Sequence, residues 1–192
     1  MAKIYPKGVF CIEGNWEEKL SQNATVKPVL ELLRINADVR YIYRDCSTRA
    51  EMQYLLEKWQ QKGYADYGIL YLAFHGEPGK LVIDSRTTVS LEELGDIISM
   101  KPPQRLVYFG ACSVLRGDAR PIKTVLKRSG ARAVCGYTTD ADWMKSTALD
   151  LIAINELQRF STTRRGLKAA ERSIREVTRA LSGRLGFRMV YL

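Results

Sequence analysis

Two residues that could work as a pair stand at matching places in this chain. His75, the only histidine, closes the apolar run Leu70-Tyr-Leu-Ala-Phe-His-Gly76, and Cys112 closes a second, Leu106-Val-Tyr-Phe-Gly-Ala-Cys-Ser113. An imidazole with an ordinary pKa near ~6.5 accepts a thiol proton at neutral pH, and the resulting thiolate is a far stronger nucleophile than the thiol. A carbonyl held between the two would be attacked by sulfur while His75 passes a proton to the departing amine. Gly76 lets the backbone turn directly after the base and leaves its N–H unshielded. Gly110 and Ala111 leave space before the nucleophile, and the amides of Gly76 and Cys112 are the candidates for an oxyanion hole. The competing reading is a structural histidine after a buried strand and a cysteine that is simply buried.

Which elements would bring the two together? Gly8 to Glu13 reads as a first strand, Thr25 to Ile35 as a helix with Val26, Val29, Leu30 and Leu33 at helical spacing, and Asp38 to Tyr43 as a second strand. Thr48 with Glu51 makes a capping box for a helix carrying Met52, Leu55, Leu56 and Trp59, ended by Gly63. Tyr67 to Phe74 is the third strand, and 80–84 with 87–89 a small hairpin. Ser90 and Glu93 cap a helix that runs to Met100, where Pro102-Pro103 stop it. Arg105 to Gly110 is the fourth strand, Pro121 to Lys127 a helix, and Ala131 to Tyr137 the fifth strand. Two helices, Trp143 to Phe160 and Thr163 to Leu181, precede a last strand from Gly186 to Tyr191. Alternating strands and helices predict right-handed crossovers: an α/β fold, a three-layer α/β/α sandwich on a mostly parallel six-stranded sheet. Neighbouring strands lie about 4.8 Å apart, and ligands bind beyond their carboxyl ends. His75 and Cys112 both fall there.

At 192 residues and 46% hydrophobic, the chain suits a single domain over 1–192. No apolar stretch reaches the roughly 20 residues of a membrane span, and the start lacks a secretory signal's apolar core, so a soluble, cytoplasmic protein without membrane contact is expected. Cys11, Cys46, Cys112 and Cys135 are scattered singly. That usage predicts neither zinc nor any other metal, and it fits a reducing compartment.

An apolar strand ending in His-Gly, followed by another ending in Ala-Cys, resembles the caspase-like superfamily of cysteine peptidases, which includes separases, gingipains, metacaspases and CHAT-domain proteases. The resemblance extends to the element order, the hairpin after His75-Gly76, Gly130 to Gly136 as the fifth strand, and the turn Asp140-Ala-Asp-Trp143 leading into long helices. Those last features, with Leu167 to Ala170, look most like the bacterial CHAT branch. The resemblance implies a caspase-like fold and a cysteine endopeptidase with a His75–Cys112 dyad, acting on protein or peptide substrates with no cofactor. It further implies an effector of bacterial defence or cell death, held inactive until a separate sensor or activator protein acts. Caspases carry glutamine before the Ala-Cys pair and metacaspases an acidic residue. Here that position is Gly110, so neither specificity transfers.

Glu13, Asp140 and Asp142 fall at the same predicted edge and are candidates to receive a basic substrate side chain. Asp140 or Asp142 is equally a candidate N-cap for the Trp143 helix. Trp143, with Trp16, is a candidate pocket wall, and aromatic packing is the alternative role for each.

The net charge of +9 is concentrated toward the C-terminus. Between Arg164 and Arg188 stand eight basic residues against Glu171 and Glu176. Such a stripe can neutralise phosphates. Without an aromatic stacking platform it reads first as a solvated helix face, with nucleic acid or an acidic partner protein as the alternatives. A catalytically silent regulatory or interaction module is the alternative to an enzyme.

Overall fold

A computed structural model of the chain describes residues 5, 7–17, 21, 24–98 and 105–191. In chain order the first elements are β1 (Val9–Glu13), α1 (Lys27–Ala37), β2 (Tyr41–Asp45), α2 (Arg49–Trp59), a 3-10 turn (Lys62–Tyr64) and β3 (Ile69–Ala73). There follow β4 (His75–Glu77), β5 (Lys80–Val82), β6 (Thr88–Ser90), α3 (Leu91–Ile97), β7 (Leu106–Gly110) and α4 (Ala119–Ser129). The chain closes with β8 (Ala133–Tyr137), α5 (Trp143–Leu157), α6 (Arg164–Val177), α7 (Arg179–Arg184) and β9 (Phe187–Tyr191).

Strands β1, β3, β7 and β8 are buried along their whole length. Their unbroken apolar runs suit a sheet covered on both faces, where alternation has nothing to separate. The sheet order is β2-β1-β3-β7-β8-β9, parallel except for β9, which runs antiparallel to β8. Alternate residues of each strand feed two cores. Phe10, Ile12, Leu70, Leu72, Val107 and Phe109 pack with the apolar stripes of α2, α3 and α4. Val9, Cys11, Ile69, Tyr71, Leu106 and Tyr108 pack with those of α1, α5 and α6. The result is the expected α/β/α sandwich.

Local signals act where they stand. Thr48 with Glu51 and Ser90 with Glu93 each close a reciprocal capping box on α2 and α3. Met100, Pro102 and Pro103, the expected end and stop of the second of these helices, lie outside the described residues.

Three elements differ from expectation. The second strand begins at Tyr41 because α1 runs on to Ala37 and ends through Asp38 in a left-handed conformation (φ 52°). The last long helix breaks at Thr178, whose Oγ1 donates to the Ile174 carbonyl at 2.6 Å and competes with the helical ladder. His75 itself opens β4, so the small hairpin is a three-stranded antiparallel sheet, β4-β5-β6, that follows directly from the carboxyl end of β3.

Candidate active site

Parallel pairing of β3 with β7 sets Ala73 opposite Gly110. His75 and Cys112 each stand two residues beyond that last pair, at the carboxyl end of the sheet. Gly76 is packed hard against the second segment: a Cβ there would overlap the Cys112 carbonyl oxygen and Val114 Cγ2 and press on Ala111. Only glycine permits this approach. The β4–β5 turn is tied to the same segment, since the Gly79 N–H donates to Val114 O at 3.1 Å.

Immediately after Cys112, Ser113 adopts a left-handed conformation (φ 57°), which a non-glycine residue holds only when its surroundings fix it. They do. Its N–H donates to Thr139 O at 3.0 Å, and its hydroxyl donates to the Asp140 carboxylate, which also pairs with Arg116 at 3.3 Å. Ala141 N–H donates to Cys112 Sγ at 3.3 Å and sets the sulfur against the turn that follows β8. Cys11, Cys46 and Cys135 are buried and Cys112 is partly exposed. Burial pushes the other three thiols upward, Cys46 to about 11.

His75 is exposed, and its Nε2 lies 2.8 Å from the carbonyl oxygen of Trp16. A carbonyl only accepts, so Nε2 is the donor in this bond, and Nδ1 is the nitrogen left to accept a proton. The Trp16 indole stands edge-on to His75 (5.2 Å between ring centres) and to Trp143 (4.6 Å). Its own N–H donates to Glu13 Oε1 at 2.5 Å. Glu13, only 2% exposed, also accepts from Val26 N, Thr25 Oγ1 and Tyr43 OH. Four donors on one carboxylate clamp the start and the end of the β1–α1 connection, and with it the carbonyl that holds His75.

His75, Cys112, Gly110 and Ala111 line one cleft of about 420 Å³. Trp16, Val26, Ala141 and Trp143 also line it, as do Tyr137, Ser146, Thr147 and Asp150. Asp150 is 3% exposed and accepts from Tyr71 OH at 2.6 Å and from Tyr137 OH. Burial pushes its carboxyl up to about 6, against the hydrogen bonds of the tyrosines, which pull it down. Glu17 is the second acid of the cleft, and no lysine or arginine lines it among the described residues.

The structure thus brings His75, Cys112 and Trp143 to one cleft, with Gly76 against the Cys112 backbone. Glu13, Asp140 and Asp142 are not among its lining residues: Glu13 anchors Trp16, Asp140 braces Ser113, and Asp142 caps α5 by accepting from Lys145 N at 3.1 Å. Sequence reasoning missed Asp150 and the tyrosines gathered about it, Tyr71, Tyr137 and, against Tyr137, Tyr108. An acid between Leu149 and Leu151 in a helix with little polar face was the available signal. Nothing in the sequence marks Ser113. Among the described residues no group of three His, Cys, Asp or Glu gathers as a metal site, and no helix is long and apolar enough to cross a membrane.

Residues 6–191 match the model of a family described as a family of unknown function (DUF6642), and the chain belongs to it. No curated protein matches it. Among solved structures, it is similar to a secreted C11 cysteine protease from Bacteroides thetaiotaomicron, crystallised with an irreversible peptide inhibitor. The TM-score is 0.58 at 10% identity over 92% of this chain, which spans 60% of that one. It is also similar to caspase-1 from Spodoptera frugiperda, with TM-score 0.55, 14% identity, and coverage of 92% of this chain and 78% of that one. The fold is caspase-like.

Proposed function

We propose that this member of the family is a cysteine endopeptidase, with residues 1–192 acting as one peptidase domain and His75 and Cys112 as its dyad. The observation that carries the reading is the shared cleft, which the one histidine and the one partly exposed thiol both line at the carboxyl edge of paired strands. His75 Nδ1 takes the proton of Cys112 Sγ, and the thiolate attacks the scissile carbonyl. The tetrahedral oxyanion is met by the amides of Cys112 and Gly76. As the C–N bond breaks, His75 returns its proton to the amine, leaving a thioester. Water then adds to that thioester with His75 as base, and Cys112 departs with the proton restored.

Two details support these roles. Among the described residues the Cys112 amide donates to no other group. A two-residue turn pairs Glu77 with Lys80, so the antiparallel alternation directs the Gly76 N–H away from β5. The finer reading is a CHAT-type, cytoplasmic effector of bacterial defence or cell death that a separate sensor or activator protein releases onto protein substrates. It rests on the Asp140 to Trp143 turn, the helices after it and the free cysteines. Peptide-library cleavage by the wild type and by Cys112→Ala and His75→Ala tests the dyad: cleavage lost in both variants supports it, and cleavage kept in either refutes it.

A further inference from the structure

The chain carries a net charge of +9, yet the walls of its cleft hold two carboxylates, Glu17 and Asp150, and no lysine or arginine among the described residues. Of the two, Asp150 is the one built into the protein. It is 97% removed from solvent by its 3% exposure, and its described hydrogen-bond partners are tyrosine hydroxyls, not cations. A buried carboxylate without a counter-charge is an energetic burden on the fold, and groups perturbed in this way within a cleft concentrate at functional sites. An ionised carboxylate offers about four lone-pair sites. Tyr71 donates to one oxygen and Tyr137 to the other, with Tyr108 a third tyrosine beside them, so the carboxylate that lines the cleft keeps acceptor capacity beyond these bonds.

Position decides what that charge would meet. Asp150 shares the cleft with Cys112, and Gly110, which has no side chain, shares the wall between β7 and the nucleophile. Ser146 and Thr147, one turn earlier on α5, add hydroxyls to the same wall. A substrate whose carbonyl lay at Cys112 would have the side chain of that same residue within reach of this shared wall.

We infer that Asp150 is the specificity-determining residue of the cleft and selects substrates with lysine or arginine immediately before the scissile bond, through an ion pair formed only in the complex. This rests on the peptidase reading for its consequence in turnover, though not for the binding of the cation itself.

The test has two arms. In the first, wild type and Asp150→Asn meet quenched peptides identical except for arginine, lysine, citrulline, norleucine or aspartate before the scissile bond. Arginine or lysine should exceed citrulline and norleucine by about 100-fold or more in kcat/KM, and Asp150→Asn should shrink that preference below about tenfold while still cleaving the norleucine peptide. In the second, benzamidine binding to Cys112→Ala is measured by calorimetry, and adding Asp150→Asn should weaken it at least about tenfold. Preference for aspartate or norleucine, or benzamidine binding indifferent to Asp150→Asn, overturns the inference. Should Asp150→Asn fail to fold, the wild-type panel and benzamidine binding to Cys112→Ala still decide, because absence of both cation preference and binding overturns it. Asp150-dependent benzamidine binding without cleavage of any peptide would refute the peptidase reading alone. Cleavage without cation preference would refute this inference alone.

Discussion

The backbone carbonyl of Cys112 occupies the space that a side chain on Gly76 would need. Gly76 is therefore packed directly against the Cys112 peptide, and the proposed dyad depends on that contact as much as on the strands below it.

Gly76→Ala consequently forces β4 away from the Cys112 turn. It should cost about 1–3 kcal/mol in urea unfolding and abolish selective labelling of Cys112 by a thiol-directed probe. A variant with unchanged stability and labelling would show that the two segments are not tightly packed.

Glu13→Gln replaces a carboxylate that accepts from four donors with a group bearing one acceptor oxygen and an N–H₂. A loss of about 1–3 kcal/mol is expected. Because Glu13 holds the connection that places the Trp16 carbonyl on His75, kcat should fall further than KM rises. A purely structural role would lower stability and leave the kcat of the folded fraction unchanged.

Asp140→Ala releases the Ser113 hydroxyl and with it the left-handed turn that follows Cys112. Turnover should drop about tenfold from misplacement of the sulfur, and equally for every residue placed before the scissile bond. A selective loss for cationic peptides would make Asp140 a substrate receptor instead.

Asp150 has a pKa of about 6 in the folded chain against an ordinary 3.8. Between these values the native state binds more protons than the unfolded state, so the contribution of this one group to stability is most favourable below about pH 4 and is lost as the pH rises through 6. The shift corresponds to roughly 2–3 kcal/mol. Asp150→Asn removes the titration, and its stability relative to wild type should improve by about 1–3 kcal/mol between pH 4 and pH 7.5. A pH-independent difference in urea midpoints would contradict this.

Much of this architecture is legible in the sequence because its signals are local. Capping boxes at Thr48 and Ser90, apolar runs over 69–73 and 106–110, and the stripe of Val29, Leu30 and Leu33 each act over one or two turns or one strand. What depends on distant partners is not. The antiparallel docking of β9 and the union of His75 with β5 are set by pairing with distant strands, and the start of β2 by the left-handed exit of α1 through Asp38. The same division runs through the site. His75 and Cys112 stand out because each terminates an apolar run. Asp150 becomes visible only once Tyr71, Tyr108 and Tyr137 of three separate strands are stacked beneath α5. The carboxylates of Glu13, Asp140 and Asp142 are equally plain in the sequence, but their partners turn them toward the scaffold.

The most direct measurement is mass-spectrometric mapping of an irreversible thiol-directed peptide probe on wild type, Cys112→Ala and His75→Ala, together with peptide cleavage by each. The account predicts labelling confined to Cys112, strongly reduced in His75→Ala, and cleavage absent from both variants. Labelling spread equally over Cys46 and Cys112, or cleavage that survives either substitution, would contradict it.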